Sequence, residues 1–194
     1  MSAHEGSDLT DPKNWVCSSF FDPRQHQDVI LPGIVGGIEG NIVTSPDGTI
    51  YDILRFADGK SLMLKFDPEN PEQELEFAGY IDFPATASKV DILYDNASGF
   101  YVSLVSYNLS EPKTLRNLLS LVYSKDLREW KLAGHIIDFR DADPKKVAFQ
   151  YVDFLIDGSD ILFQSRTAFN GAKNFHDTNF ATFHRISNFR GLLV

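Results

Sequence analysis

Gly36-Gly37-Ile38-Glu39-Gly40-Asn41-Ile42-Val43-Thr44-Ser45-Pro46-Asp47-Gly48-Thr49-Ile50-Tyr51-Asp52-Ile53-Leu54-Arg55-Phe56 reads as a β-hairpin. Pro46 presets φ and Gly48 supplies φ > 0, so Pro46-Asp47-Gly48 is a tight-turn signal. Ile42 and Val43 precede the turn, and Ile50, Tyr51, Ile53 and Leu54 follow it, which is strand composition on both sides. Folding about Asp47-Gly48 brings Glu39 and Arg55 together at the open end. A carboxylate beside a guanidinium, next to a Gly37–Gly40 backbone that a ligand can approach closely, is a candidate fragment of a site. The competing reading is an exposed ion pair of little energetic weight.

The same unit recurs downstream. Val90–Tyr94, the turn Asp95–Gly99 and Phe100–Tyr107 predict a second hairpin, and Tyr151–Ile156, Asp157-Gly158 and Ser159–Arg166 a third. Further strands are expected at 61–66, 77–83, 118–123, 131–139 and 180–186, with 67–76 a solvated acidic loop. Thr114–Leu121 is the one helical rival, and its β-rich continuation argues against it. Asp8 to Trp15 reads as a turn delivering a buried Trp. Hairpin turns near 47, 97 and 157 recur at about the length of a four-stranded propeller blade. The expected fold is therefore all-β, a β-propeller, in blade-like units of 1–83, 84–140 and 141–194. About three blades do not close a ring, so the chain reads as part of a larger one.

Composition narrows the function. The 194 residues include sixteen Phe and seven Tyr, and the net charge is −9. That acidity argues against nucleic acid or an anionic membrane as partner, but leaves room for a small anionic ligand held by a local arginine cluster. The single Cys17 excludes an internal disulfide. No 18-residue apolar run and no charged-then-apolar leader is present, so neither a membrane span nor a signal peptide is expected. No cofactor is implied.

Four segments carry a family resemblance. Glu39-Gly40-Asn41-Ile42-Val43, Pro46-Asp47-Gly48 and Leu54-Arg55 resemble the Glu-x-x-x-Val, Asp-Gly and Arg segment of the sialidases (neuraminidases), which are six-bladed propellers. Arg116-Asn117-Leu118 through Ser124-x-Asp126-x-x-x-Trp130 resembles that family's Arg-led strand and Asp-box; the box is one residue short and lacks its Gly. Gln150-Tyr151-Val152-Asp153 with Asp157-Gly158 resembles the strand bearing the sialidase tyrosine. Asn174–Phe180 and Phe183–Arg190 resemble the end of bacterial sialidase-like repeat proteins. The match is to the C-terminal half of a sialidase.

The resemblance implies a glycoside hydrolase or a fragment of one, binding a carbohydrate at the propeller mouth. Arg55 and Arg116 would belong to the arginine triad that grips a sugar carboxylate bidentately. Tyr151 would be the nucleophile and Glu39 the base that activates it, the sialidase departure from two-carboxylate hydrolysis. Arg166, equivalent by repeat to Arg55, either reaches the same mouth or pairs with Asp153. The family's first triad arginine and its acid/base aspartate have no counterpart, Arg24 standing in a loop of the wrong character. His176, Asp177 and His184 can be read as metal ligands or as local hydrogen-bonding groups, and no metal is assigned. Each site residue also has a plain structural reading: Tyr151 as an ordinary strand residue, Arg116 as a solvated loop charge. The rival function is a non-catalytic propeller module that binds glycan or protein. Ring completion by a homodimer, or by blades N-terminal to this chain, follows from either reading.

Overall fold

The computed structural model describes residues 1–22, 25 and 37–193. Its strands are β1 (Ser2–Ala3), β2 (Trp15–Val16), β3 (Ile38–Thr44), β4 (Ile50–Ala57), β5 (Lys60–Phe66), β6 (Glu76–Asp82), β7 (Ile92–Asp95), β8 (Phe100–Ser106), β9 (Leu118–Ser124), β10 (Trp130–Asp138), β11 (Ala148–Asp157), β12 (Asp160–Ala168) and β13 (Phe180–Ile186). Among the described residues there is no α-helix, only 3-10 turns such as Pro12–Asn14 and Phe189–Leu192. The 114–121 segment runs into β9 and is not helical.

Three antiparallel meanders follow one another: β3-β4-β5-β6, β7-β8-β9-β10 and the three-stranded β11-β12-β13. The fold is all-β, a partial β-propeller in which each sheet opens with one of the sequence-read hairpins. Turn chemistry fixes their ends. Gly48, Gly99 and Gly158 all have positive φ (85°, 72° and 60°), and the Asp47 carboxylate accepts from Thr49 N at 3.0 Å. The 67–75 loop is held by its own Asp67, which accepts from Glu69 N and Asn70 Nδ2.

The core lies between sheets. Val43, Ile53, Met63 and Phe83 of the first sheet pack on Ile92, Tyr101, Val105 and Val122 of the second. On its other face, the second sheet packs Val102, Leu104, Leu119 and Leu121 against Phe154, Ile161, Phe163 and Phe189. Successive strand residues point to opposite faces, and β8 and β9 are covered on both, which is why even their Ser103 and Ser120 are buried. Each fully buried Leu, Ile or Phe contributes about 1.5–3 kcal/mol.

The Ser124–Trp130 turn is closed by its own aspartate. Asp126 Oδ1 accepts from the amides of Arg128 and Glu129, both at 2.9 Å, and Leu127 takes the left-handed conformation (φ 65°) that a Gly would have taken without strain. Trp130 donates its indole N–H to Leu127 O at 2.9 Å and stacks edge-on against Phe83 at 4.8 Å, joining the first two sheets.

Trp15 departs from expectation. It is 38% exposed, because the N-terminal turn closes on itself: the indole donates to Leu9 O, Asn14 Nδ2 to Asp8 O, and Asp8 accepts from Thr10. Arg24 and Gly36 lie outside the described residues.

Candidate functional site

Strand direction gathers the candidates. The starts of the first and third strands of a sheet, and the end of its second strand, lie at one edge; the hairpin turns lie at the other. Glu39 is near the start of β3, Arg55 near the end of β4, Arg116 just before β9, Tyr151 near the start of β11 and Arg166 near the end of β12. All five are at the edge opposite the hairpin turns.

Two bulges aim the key side chains. In the first sheet, Ile38 pairs Arg55 and Asn41 pairs Ile53, so Glu39 and Gly40 together face Leu54 alone. In the third, Gln150 pairs Arg166 and Asp153 pairs Gln164, so Tyr151 and Val152 face Ser165 alone. Glu39 and Tyr151 hold positive φ (54° and 51°). A non-glycine residue there costs of order 1 kcal/mol, and such conformations cluster at functional sites. Glu39 with Arg55 and Tyr151 with Arg166 are thus repeat-equivalent pairs.

The two pairs use their chemistry differently. Arg55 Nη1 donates to Glu39 Oε2 at 2.6 Å, with both side chains partly exposed. Tyr151 instead lies between two guanidiniums, with Arg116 Cζ 5.4 Å and Arg166 Cζ 4.9 Å from its ring centroid. Arg116 is only 9% exposed and is not a solvated loop charge. It donates to Gln150 Oε1 and also lies over Phe175. Arg166 donates to His176 O at 3.2 Å, and among the described residues it forms no ion pair with Asp153. Among the described residues, no hydrogen bond joins Glu39 to Tyr151, and Arg55 is the partner that holds Glu39.

Sequence reasoning missed Gln150 and the 169–179 loop. Gln150 is buried; it accepts from Arg116 and donates from Nε2 to Phe175 O at 2.9 Å. A glutamine between Phe149 and Tyr151 in a strand needs such partners once buried, and that was its one sequence signal. The loop is internally braced. Asn174 Oδ1 accepts from the amides of His176 and Asp177, both at 2.8 Å, and Asn179 Nδ2 donates to Phe169 O at 2.7 Å. It presents the His176 ring 6.3 Å from that of Tyr151.

The glycine reading needs correction. A Cβ on Gly40 would overlap the Asp52 carboxylate, so that carboxylate occupies the space in which a ligand was expected to approach. Burial holds the Asp52 carboxyl above its ordinary range, partly offset by the chain's N-terminal charge. His184 stands away from His176, stacked on Phe163 at 4.7 Å and bonded to Thr182 Oγ1 at 2.7 Å, and burial lowers its pKa. Among the described residues, no group of three or more His, Cys, Asp or Glu can hold a metal ion. Two surface grooves, of about 470 and 320 Å³, involve Asp47, Lys65 and Asp67, and Phe100, Lys125 and Asp126 respectively. Both are at the hairpin-turn edge, away from these residues.

No protein-family model matches the chain, and no curated protein matches its sequence. Solved structures do match its fold. An exo-β-1,3-galactanase from Clostridium thermocellum is 14% identical with a TM-score of 0.50, over 83% of this chain and 34% of that one. The GH93 α-L-arabinofuranosidase of Fusarium graminearum, solved with arabinobiose, is 9% identical with a TM-score of 0.53, over 81% of this chain and 46% of that one. The chain therefore spans between a third and a half of the length of these structures. The neighbours are glycoside hydrolases with propeller folds, and the narrower likeness to sialidases finds no support among them.

Proposed function

We propose that this chain is the sugar-binding part of a glycoside-hydrolase-like β-propeller, and that its ligand is an acidic sugar docked over Tyr151. One observation carries the reading: two guanidiniums, Arg116 and Arg166, flank a tyrosine that a bulge holds in a left-handed conformation. A guanidinium stays charged and meets a carboxylate bidentately. Arg55 sits at the same edge, paired with Glu39. In a hydrolytic reading by sialidase resemblance, Tyr151 would attack the anomeric carbon as its bond to the aglycone oxygen breaks, Glu39 would take the phenol proton, and an acid from outside the described residues would protonate the departing aglycone.

The second reading, a non-catalytic glycan-binding module, is favoured by the surroundings of Tyr151. They are cations, Phe175 and His176, while Glu39 is held by Arg55. General-acid catalysis contributes ~10²–10⁴-fold, and among the described residues no hydrogen bond joins Tyr151 to a carboxylate. We therefore expect the 194-residue chain to bind without turning over.

Calorimetric titration with sialyllactose and with lactose separates these statements. Binding of the sialylated sugar alone, weakened about tenfold or more in Arg166→Ala, is the expected result. Equal affinity for both sugars would remove the acidic-ligand reading. Turnover of a chromogenic sialoside that is lost in Tyr151→Phe would replace the binding module with an enzyme.

A further inference from the structure

One polar side chain per sheet reaches forward to the next. Asn41 Oδ1 accepts from the backbone N–H of Ile92, at the start of the second sheet, at 3.0 Å, and its Nδ2 donates to Asp91 Oδ1 at 3.2 Å. Asp91 Oδ2 then accepts from the backbone N–H of Phe154, in the third sheet, at 3.3 Å. Asn41-Ile42, Asp91-Ile92 and Asp153-Phe154 are thus three copies of one device, in which the polar residue of one sheet caps the amide that follows the polar residue of the next. The third copy, Asp153, has no following sheet within the described residues to cap.

The apolar surface around the device repeats as well. Leu93 of the second sheet, two residues past Asp91, packs into the core shared with the third. Its counterpart Leu155, two residues past Asp153, is 54% exposed. Strand pairing puts Gln164 and Phe183 on the same face as Asp153, and Leu162 beside Leu155; Phe183 is 71% exposed. At the other end of the arc, Asn41 and Val43 face the second sheet, so Ile42 between them points outward and is 60% exposed. Ile42 occupies the position of Ile92 and Phe154, whose amides are capped.

We propose that the outward face of the third sheet is a blade–blade interface, and that its occupant is the first sheet of a second copy of this chain, with Asp153 capping the amide of that copy's Ile42. The chain carries both halves of the contact: Asp153, Leu155 and Phe183 on one flank, Ile42 on the other. The contact joins unlike surfaces. Two copies related by a two-fold axis make it twice and close one ring, whereas an unclosed version would grow without limit. Closure also covers the free apolar flanks, which otherwise favour aggregation. This inference is independent of the ligand proposed above.

Light scattering after size exclusion, with analytical ultracentrifugation, tests it on the purified 194-residue chain. The expected mass is twice 21.9 kDa, independent of loading over a tenfold range. Leu155→Asp with Phe183→Asp should yield folded monomer, and so should Ile42→Asp, although these residues lie on opposite flanks; circular dichroism checks that each variant keeps its strands. Asn41 performs the capping role with an amide oxygen, so Asp153→Asn should keep the dimer, while Asp153→Leu should weaken it about tenfold. A monodisperse monomer in the wild type, an open-ended series of oligomers, or a dimer indifferent to one of the two flanks overturns the proposal. Equal behaviour of Asp153→Asn and Asp153→Leu overturns the assignment of Asp153.

Discussion

Replacing Arg190 by alanine cuts the clamp between the C-terminal turn and the hairpin of the second sheet. Arg190 donates to both Asp95 oxygens, each at 2.7 Å, and to Gly158 O at 2.9 Å. The pair spans ninety-five residues of sequence and ties the third sheet to the second. Arg190, helped by the amides of Ser98 and Ala97, holds the Asp95 carboxyl at about 2 against an ordinary 3.8. That difference corresponds to ~2 kcal/mol of stability at neutral pH. Arg190 is 27% exposed, so solvent screening reduces this to about 1–2 kcal/mol. For a domain of this size the melting temperature of Arg190→Ala should fall by about 2–8 °C.

The pH dependence supplies the sharper check. A carboxyl held below its ordinary pKa stabilises the fold in full above the unfolded value, and that stability disappears as pH falls through the folded value. The gap between wild type and Arg190→Ala should therefore be widest above about pH 5, shrink by roughly half near pH 3, and close toward pH 2. Urea midpoints at pH 7, 4 and 3 measure it. A gap that stays constant across these values, or one below about 0.5 kcal/mol at pH 7, would refute the reasoning.

Three further outcomes follow from the same geometry. Asp91 accepts from Asn41 Nδ2 with one oxygen and from the amide of Phe154 with the other, so Asp91→Asn, which turns one acceptor into a donor facing a donor, should lower stability by about 1–2 kcal/mol at pH 7; a variant as stable as the wild type there would contradict this. Gly40→Ala pushes a methyl into the Asp52 carboxylate and should lower stability by about 1–3 kcal/mol; thermal melts unchanged within 1 °C would show that Asp52 moves aside freely. Gln150→Glu keeps an acceptor for Arg116 but loses the donor to Phe175 O and His176 O, so hydrogen exchange should quicken across 173–178 while the sheets stay protected, and unaltered exchange there would deny Gln150 its bracing role.

What the sequence disclosed about this fold was its punctuation. Asp47-Gly48, Asp95 to Gly99 and Asp157-Gly158 are turns whose chemistry is local, so the hairpins they close were legible to within about three residues. Arg55 and Arg166 were likewise readable as equivalents, because register follows from turn position. Contacts between sheets left no such trace. Nothing local shows that Asn41 reaches the amide of Ile92, that Arg190 returns to Asp95, or that Gln150 orients Arg116 beneath the 169–179 loop. Trp15 was misplaced for the complementary reason: its turn was recognised, and burial was then inferred from the residue type alone.

The two bulges tie these observations together. Glu39 and Tyr151 are chemically unlike, yet each takes the left-handed first position of a bulge opposite a β-strand that carries an arginine two residues before its end. An ordinary strand residue at that point would lie in the pleat and alternate into one of the packed faces. The extra residue rotates the side chain out of the alternation and up to the edge of the sheet, where the arginine of the neighbouring strand meets it. Repeating one backbone device in the first and third sheets therefore sets an anion and a phenol at matching heights, each with its own guanidinium, while the opposite edge carries turns such as Asp47-Gly48 and Asp126 to Trp130, and there Arg190 joins Asp95 to Gly158 O across two sheets. The backbone thus gathers the candidate site residues at one edge of the sheets and the sequence-read hairpin turns at the other.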